Sequence, residues 1–290
     1  MSRRLTQLLT VLLLVISAFG VAAAHDYSGN PFIITAAELN ELLGSENLRI
    51  LDTQSRAAYE NGHIPGAIHW DVNVLITNDN FDFEFAGVEN AVAQLSAAGI
   101  GNDDLVVIYW GNRSDATYTF WVLDYLGHEN VKILNGGIDG WIAEGYPVET
   151  TVNTYAPAEF VPNVQEQRFA SIEWVQEHLD DTSYSFIDAR NQRSFLTSRL
   201  PAANAHVTPA DEYFIDGTAY LKSPEEIEAI LIDAGVDLNN SLVAFCTRGR
   251  LASQIYWVFR VAGFEDVRNF EASMTGWIAA GLPVASGPVD

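Results

Sequence analysis

One cysteine stands in the whole sequence, Cys246, and only two lysines, Lys132 and Lys222. A lone cysteine excludes an internal disulfide, so the thiol is either an inert core group or a retained nucleophile. Basic residues are scarce overall: 15 Lys and Arg face 38 Asp and Glu, for a formal charge of −23. Setting aside Arg3 and Arg4 of the N-terminal segment, which holds no acid, leaves −25. Such a surface repels nucleic acid and anionic membrane, and both are excluded as partners. No segment after residue 24 is apolar enough to span a membrane. No spacing of His, Cys, Asp and Glu suggests a metal site.

Residues 1–24 stand apart. Arg3 and Arg4 make a positive start, Leu8 to Val21 is mostly apolar, and Ala22-Ala23-Ala24 supplies small residues before His25. This is the pattern of a secretory signal peptide cut before His25. The expectation is an exported chain, periplasmic or secreted, with no membrane contact after cleavage.

The remaining length suits two domains, and an internal repeat supplies them. The halves match at a constant offset of 136 residues. Asp52 pairs with Asp188, Pro65 with Pro201, Val107 with Val243, Trp121 with Trp257 and Gly127 with Gly263. The ends match most fully, Gly140 to Val148 against Gly276 to Val284. Each copy reads as a helix (36–43; 171–179), a strand ending in aspartate (48–52; 184–188), a turn-rich segment, and a second helix (88–98; 224–234). A near-continuous apolar strand follows (105–110; 242–246), the mark of a strand covered on both faces. A third helix, a short strand (131–134; 267–270) and a Gly-Trp helix close the unit. Alternating strands and helices predict an α/β fold: tandem duplicated domains, each a mainly parallel sheet flanked by helices. The predicted boundaries are an N-terminal domain over 36–150, a linker over 151–166 and a C-terminal domain over 167–288.

Ligands of such sheets bind outside the carboxyl ends of the strands. Asp52, Asp188, Trp110 and Cys246 all fall there. Cys246 ends an apolar strand and precedes a helix that reads from Ala252, with Thr247, Arg248, Gly249, Arg250 and Leu251 between. A helix N-terminus and two arginines favour a thiolate, the nucleophilic form. The first copy has Trp110 at this position, so packing of the repeat does not require cysteine there.

These residues resemble the rhodanese family of sulfurtransferases. The likeness runs from about Ala36 to the end. It rests on Gly62-His63-Ile64-Pro65-Gly66-Ala67-Ile68-His69 in the first copy, on the six-residue loop Cys246 to Leu251 in the second, and on the Gly-Trp…Gly-x-Pro-Val endings of both. The family's chemistry implies that Cys246 takes the outer sulfur of thiosulfate as a persulfide and passes it to a thiophilic acceptor, cyanide or a thiol, without cofactor or metal. Loop amides from Thr247 to Ala252 would cradle the sulfur, with Arg248 and Arg250 drawing in an anionic donor. The resemblance also implies substrate contacts from Arg190 and Arg193 in the second copy, although Arg193 lies one residue before the expected position. Arg199 replaces the hallmark histidine there, matching His63, and His206 follows this degraded turn. The first copy, lacking the thiol, reads as catalytically silent. Two alternatives stay open: 3-mercaptopyruvate as donor, and a non-enzymatic exported persulfide carrier. A phosphatase is disfavoured, because the position that would hold its phosphate-binding arginine is Ala252.

Overall fold

The structure is a computed structural model, and it describes residues 25–79 and 82–288. The N-terminal 24 residues, where the signal peptide is expected, lie outside the described residues. In chain order the first repeat comprises β1 (Ile33–Ile34), α1 (Ala36–Leu42), β2 (Leu48–Asp52), α2 (Arg56–Asn61), β3 (Ile68–His69), β4 (Ile76–Asp79), β5 (Asp82–Phe85), α3 (Val88–Ala97), β6 (Leu105–Tyr109), α4 (Arg113–Tyr125), β7 (Val131–Leu134) and α5 (Gly137–Ala143). The second comprises α6 (Ile172–His178), β8 (Tyr184–Asp188), α7 (Gln192–Thr197), β9 (Ala205–Val207), α8 (Pro224–Asp233), β10 (Ser241–Phe245), α9 (Arg250–Val261), β11 (Val267–Asn269) and α10 (Ser273–Ala279).

Both main sheets are parallel throughout, in the orders β1-β7-β6-β2-β3 and β11-β10-β8-β9. The apolar runs of β6 and β10 occupy interior positions, with their last four residues buried, as strands covered on both faces require. The second sheet lacks a partner for β1. There the pairing shrinks to one parallel bridge, Phe169 to Asn269, which are the 136-residue counterparts of Ile33 and Ile133.

The turn-rich segments hold more order than their composition suggests. Ser55 and Asn191 each accept a backbone N–H at a helix start, nucleating α2 and α7. Strands β4 and β5 form an antiparallel hairpin in the first repeat alone. The closing Gly-Trp…Pro pattern has a direct cause. Trp141 Nε1–H donates to the Pro147 carbonyl at 2.8 Å, and Trp277 Nε1–H to that of Pro283 at 2.7 Å. Each indole thus folds the chain back under its terminal helix. His63, buried and stacked on Tyr59, sits between the carbonyls of Tyr59 and Thr151. Arg199 does the matching work in the second repeat by donating to the Gly287 and Pro288 carbonyls.

The halves meet through α4 and α9. The equivalent residues Thr117 and Ser253 touch, Oγ1 to Oγ at 3.1 Å, which places the pseudo-twofold axis between them. Small side chains there let the helices approach closely. Around them Tyr118, Phe120, Trp121, Tyr256 and Trp257 are fully or almost fully buried, each contributing about 2 kcal/mol by leaving water. At the far end of the pair, Asp124 receives the Tyr256 hydroxyl and Arg260 Nε (3.2 Å), with Arg168 Nε at 3.8 Å. Replacing it leaves two arginines in a largely dry seam. Asp124→Ala should therefore lower unfolding stability by about 3 kcal/mol, measured by urea denaturation.

Candidate active site

Strand β10 delivers Cys246 at its carboxyl end, buried at 2% exposure. The next three residues turn tightly. Gly249, with φ +76°, is the N-cap of α9, and a Cβ on it would stand 2.5 Å from the Glu271 carbonyl oxygen. Only glycine fits both that conformation and that contact. The turn aims the N–H groups of Arg248, Leu251 and Ala252 at Cys246 Sγ. The helix begins at Arg250, two residues before the expected Ala252.

A second segment supports the loop from behind. Ser273 is buried, with φ 49°, the one non-glycine residue at positive φ among the described residues. Its Oγ accepts the N–H of Cys246 at 3.0 Å and of Gly249 at 3.1 Å, donates to the Phe270 carbonyl at 2.8 Å, and stands 3.9 Å from Sγ. Met274 and Thr275 donate their N–H groups to the carbonyls of Cys246 and Thr247. Ser273 escaped the reading of the sequence. Its repeat counterpart is Gly137, at φ +57°, so a serine aligned with a left-handed glycine was the available signal.

The thiol is not the depressed one expected. Burial pushes its pKa above the ordinary value, and the amides of Ala252 and Arg248, the Ser273 hydroxyl and the Leu251 amide offset only part of that. The arginines do not reverse the balance. Arg250 reaches across to the first repeat, where Nη1 pairs with Asp115 and Nη2 donates to Asn73 at 3.2 Å. Its charge is committed to the seam between the halves. Arg248 and Thr247 are exposed on the loop, and Leu251 is 37% exposed beside them.

The other expected substrate contacts take different places. Arg190 is largely consumed within its own turn, with Nε on Asp188 Oδ1 (2.9 Å) and Nη2 on both Asp188 Oδ2 and the Ser198 carbonyl (2.6 Å each). This is an internal ion pair rather than a free anion-binding arm, and it compensates a fully buried aspartate. Arg193 is exposed on α7 with no ion-pair partner among the described residues. His206 rests on the Ala234 carbonyl at 3.0 Å. In the first repeat, Trp110 packs edge-on against Trp257 and Phe214. Its loop lines a cavity of about 790 Å³ shared with Asp211 and Gly217 to Tyr220 of the second repeat. The first repeat thus keeps a cleft but no thiol.

Two parallel α/β sheets related by duplication, with one cysteine looped under amide donors at a strand end, define a two-domain protein of the class expected. The rhodanese-like domain model matches residues 35–144 and 171–280. The chain belongs to the rhodanese family. It is 28% identical over 257 residues to a thiosulfate sulfurtransferase of Cricetulus griseus, covering 81% of this chain and 86% of that one. It is 30% identical to a thiosulfate sulfurtransferase of Corynebacterium glutamicum, over 88% of this chain and 90% of that one. Among solved structures, the 3-mercaptopyruvate sulfotransferase SseA from Escherichia coli superposes with a TM-score of 0.74 at 21% identity, covering 83% of this chain and 98% of that one.

Ser273→Ala removes the acceptor that holds the N–H groups of Cys246 and Gly249, and with it the hydroxyl dipole beside the thiol. It should cost about 2 kcal/mol of stability. It should also move the pH profile of Cys246 alkylation upward, as measured with iodoacetamide against pH.

Proposed function

We propose that this chain is a sulfurtransferase that moves sulfane sulfur from thiosulfate to a thiophilic acceptor through a persulfide on Cys246. The observation that carries the reading is the amide cradle: the chain's single thiol lies at a strand's carboxyl end with three backbone N–H groups aimed at its sulfur. That arrangement serves an anion. The thiolate and the persulfide are both anionic, so one cradle serves both forms of the enzyme.

In the first step Sγ attacks the outer sulfur of thiosulfate. The bond from that sulfur to the sulfite sulfur breaks, and sulfite leaves with its electron pair. In the second step the acceptor attacks the terminal sulfur, and the Cys246 thiolate leaves. The scheme is a double displacement with ping-pong kinetics. The raised thiol pKa makes the first step the pH-sensitive one, faster as pH rises. Arg248, exposed beside the thiol, supplies positive charge for an anionic donor on an otherwise acidic protein. The names of the relatives support the sulfur-transfer class. The first repeat, with Trp110 in place of the thiol, forms a wall rather than a second centre. The scheme calls on neither metal nor organic cofactor.

We also propose that residues 1–24 direct export and that His25 begins the mature chain, so that the acceptor is met outside the cytoplasm. Expression in a bacterial host with fractionation and intact-mass analysis should find a periplasmic form starting at His25. A full-length cytoplasmic form contradicts this.

The function is tested by steady-state rates. Thiosulfate with cyanide should yield thiocyanate with ping-pong kinetics, and Cys246→Ser should lower the rate by more than about a thousandfold. Faster turnover of 3-mercaptopyruvate in the same preparation would reassign the donor. Persulfide formation without turnover would favour a carrier.

A further inference from the structure

Glu271 follows β11 and lies between the two halves of the molecule. Its side chain is buried at 4% exposure. Tyr118 on α4 donates its hydroxyl to Oε1 at 3.0 Å, and the backbone N–H of Phe85, at the end of β5, donates to the same carboxyl. Both donors belong to the first repeat. The main chain of Glu271 lies against Gly249 of the cysteine loop. The residues just after it carry that loop: Ser273 holds the N–H groups of Cys246 and Gly249, while Met274 and Thr275 hold the carbonyls of Cys246 and Thr247. One short segment, 271–275, therefore cradles the loop on one side and is tied to the first repeat on the other.

The charged groups facing the carboxyl are Glu84 on β5 and Arg250 on α9, and the latter is committed to Asp115 on α4. No cation pairs with Glu271 among the described residues. The counterpart in the first repeat is Asn135, whose Oδ1 accepts the N–H of Leu221 at 3.1 Å. Leu221 is the counterpart of Phe85. The duplicated fold thus places a side-chain acceptor here in both copies, and only the copy with the thiol makes it ionisable.

We propose that Glu271 is a positioning residue for sulfur transfer: as a neutral carboxyl it locks the 271–275 cradle onto the first repeat, and loss of its proton loosens that lock. The inference rests on Cys246 being the sulfur-accepting residue. Burial, the dominant influence, raises the acid to about 8. The docked form therefore binds this proton more tightly than the undocked or unfolded form. The resulting stability is whole below the ordinary value of about 4.5 and is lost progressively as pH rises to about 8.

Three readouts on the full chain test this. Infrared difference spectra should show a protonated carboxyl C=O stretch at neutral pH that disappears through about pH 8 and is missing in Glu271→Gln. The thermal unfolding midpoint of the wild type should fall relative to that of Glu271→Gln between about pH 5 and about pH 8. Single-turnover persulfide formation from thiosulfate in the wild type should fall several-fold relative to that of Glu271→Gln through the same transition, because the variant keeps only the rise that thiol ionisation gives. In Tyr118→Phe the transition should move up by about one pH unit, because the hydroxyl lowers the acid's pKa. A Glu271 carboxyl already ionised at pH 6, or a Gln variant with the wild-type pH profile, overturns the inference while sulfur transfer stands. Absence of any persulfide in the wild type overturns the reading of Cys246 and the positioning role with it, and the infrared band then shows that the fault lies with the thiol.

Discussion

The packing of α4 against α9 is the constraint on which the rest of the molecule depends. Both helices are buried along most of their length, and they cross where Thr117 meets Ser253. Both side chains in that contact are small and fully buried. At one end Asp124 collects Tyr256, Arg260 and Arg168. At the other, Asp115 and Tyr118 are held beside the cysteine loop, where they meet Arg250 and Glu271. A loop built only from its own repeat would lack these partners. The first repeat is therefore a structural component of the site even though it carries no thiol.

Duplication makes the functional differences easy to isolate. The frame is kept at equivalent positions: the indole-to-proline ties of Trp141 and Trp277, and the buried aspartates Asp52 and Asp188. The site is where the copies diverge. Trp110 becomes Cys246, Gly137 becomes Ser273 and Asn135 becomes Glu271. Each change puts a titratable or hydrogen-bonding group where the first repeat has an inert or neutral one. Their joint effect is a sulfur held by donors from a loop, a helix start and a supporting segment.

Much of this was legible from the amino acids. The 136-residue offset needed only identities such as Trp121 with Trp257, and the apolar runs into Trp110 and Cys246 marked the interior strands. Short elements were not legible. Helices α2 and α7 are six residues each and rely on Ser55 and Asn191 caps, a signal too local to distinguish from a turn. The ion-pair partners of the arginines were not legible either. Arg190 and Arg250 sit where anion binding is plausible by type, yet burial of Asp188 and the proximity of Asp115 claim their charge first. Burial reverses the expected thiol shift as well, because desolvation depends on the whole fold whereas the helix N-terminus is visible locally. Ser273 was half visible through its pairing with Gly137. Glu271 was not, since its partners Tyr118 and Phe85 are far away in sequence.

The most direct test of the central claim is the location of the transferred sulfur. Purified protein treated with thiosulfate and freed of excess reagent should gain the mass of one sulfur atom, with one equivalent of sulfite released. Peptide mapping should place that sulfur on Cys246, and cyanide should remove it as thiocyanate. A protein that releases no sulfite, or a Cys246→Ser variant that still gains and delivers the sulfur, would contradict the account.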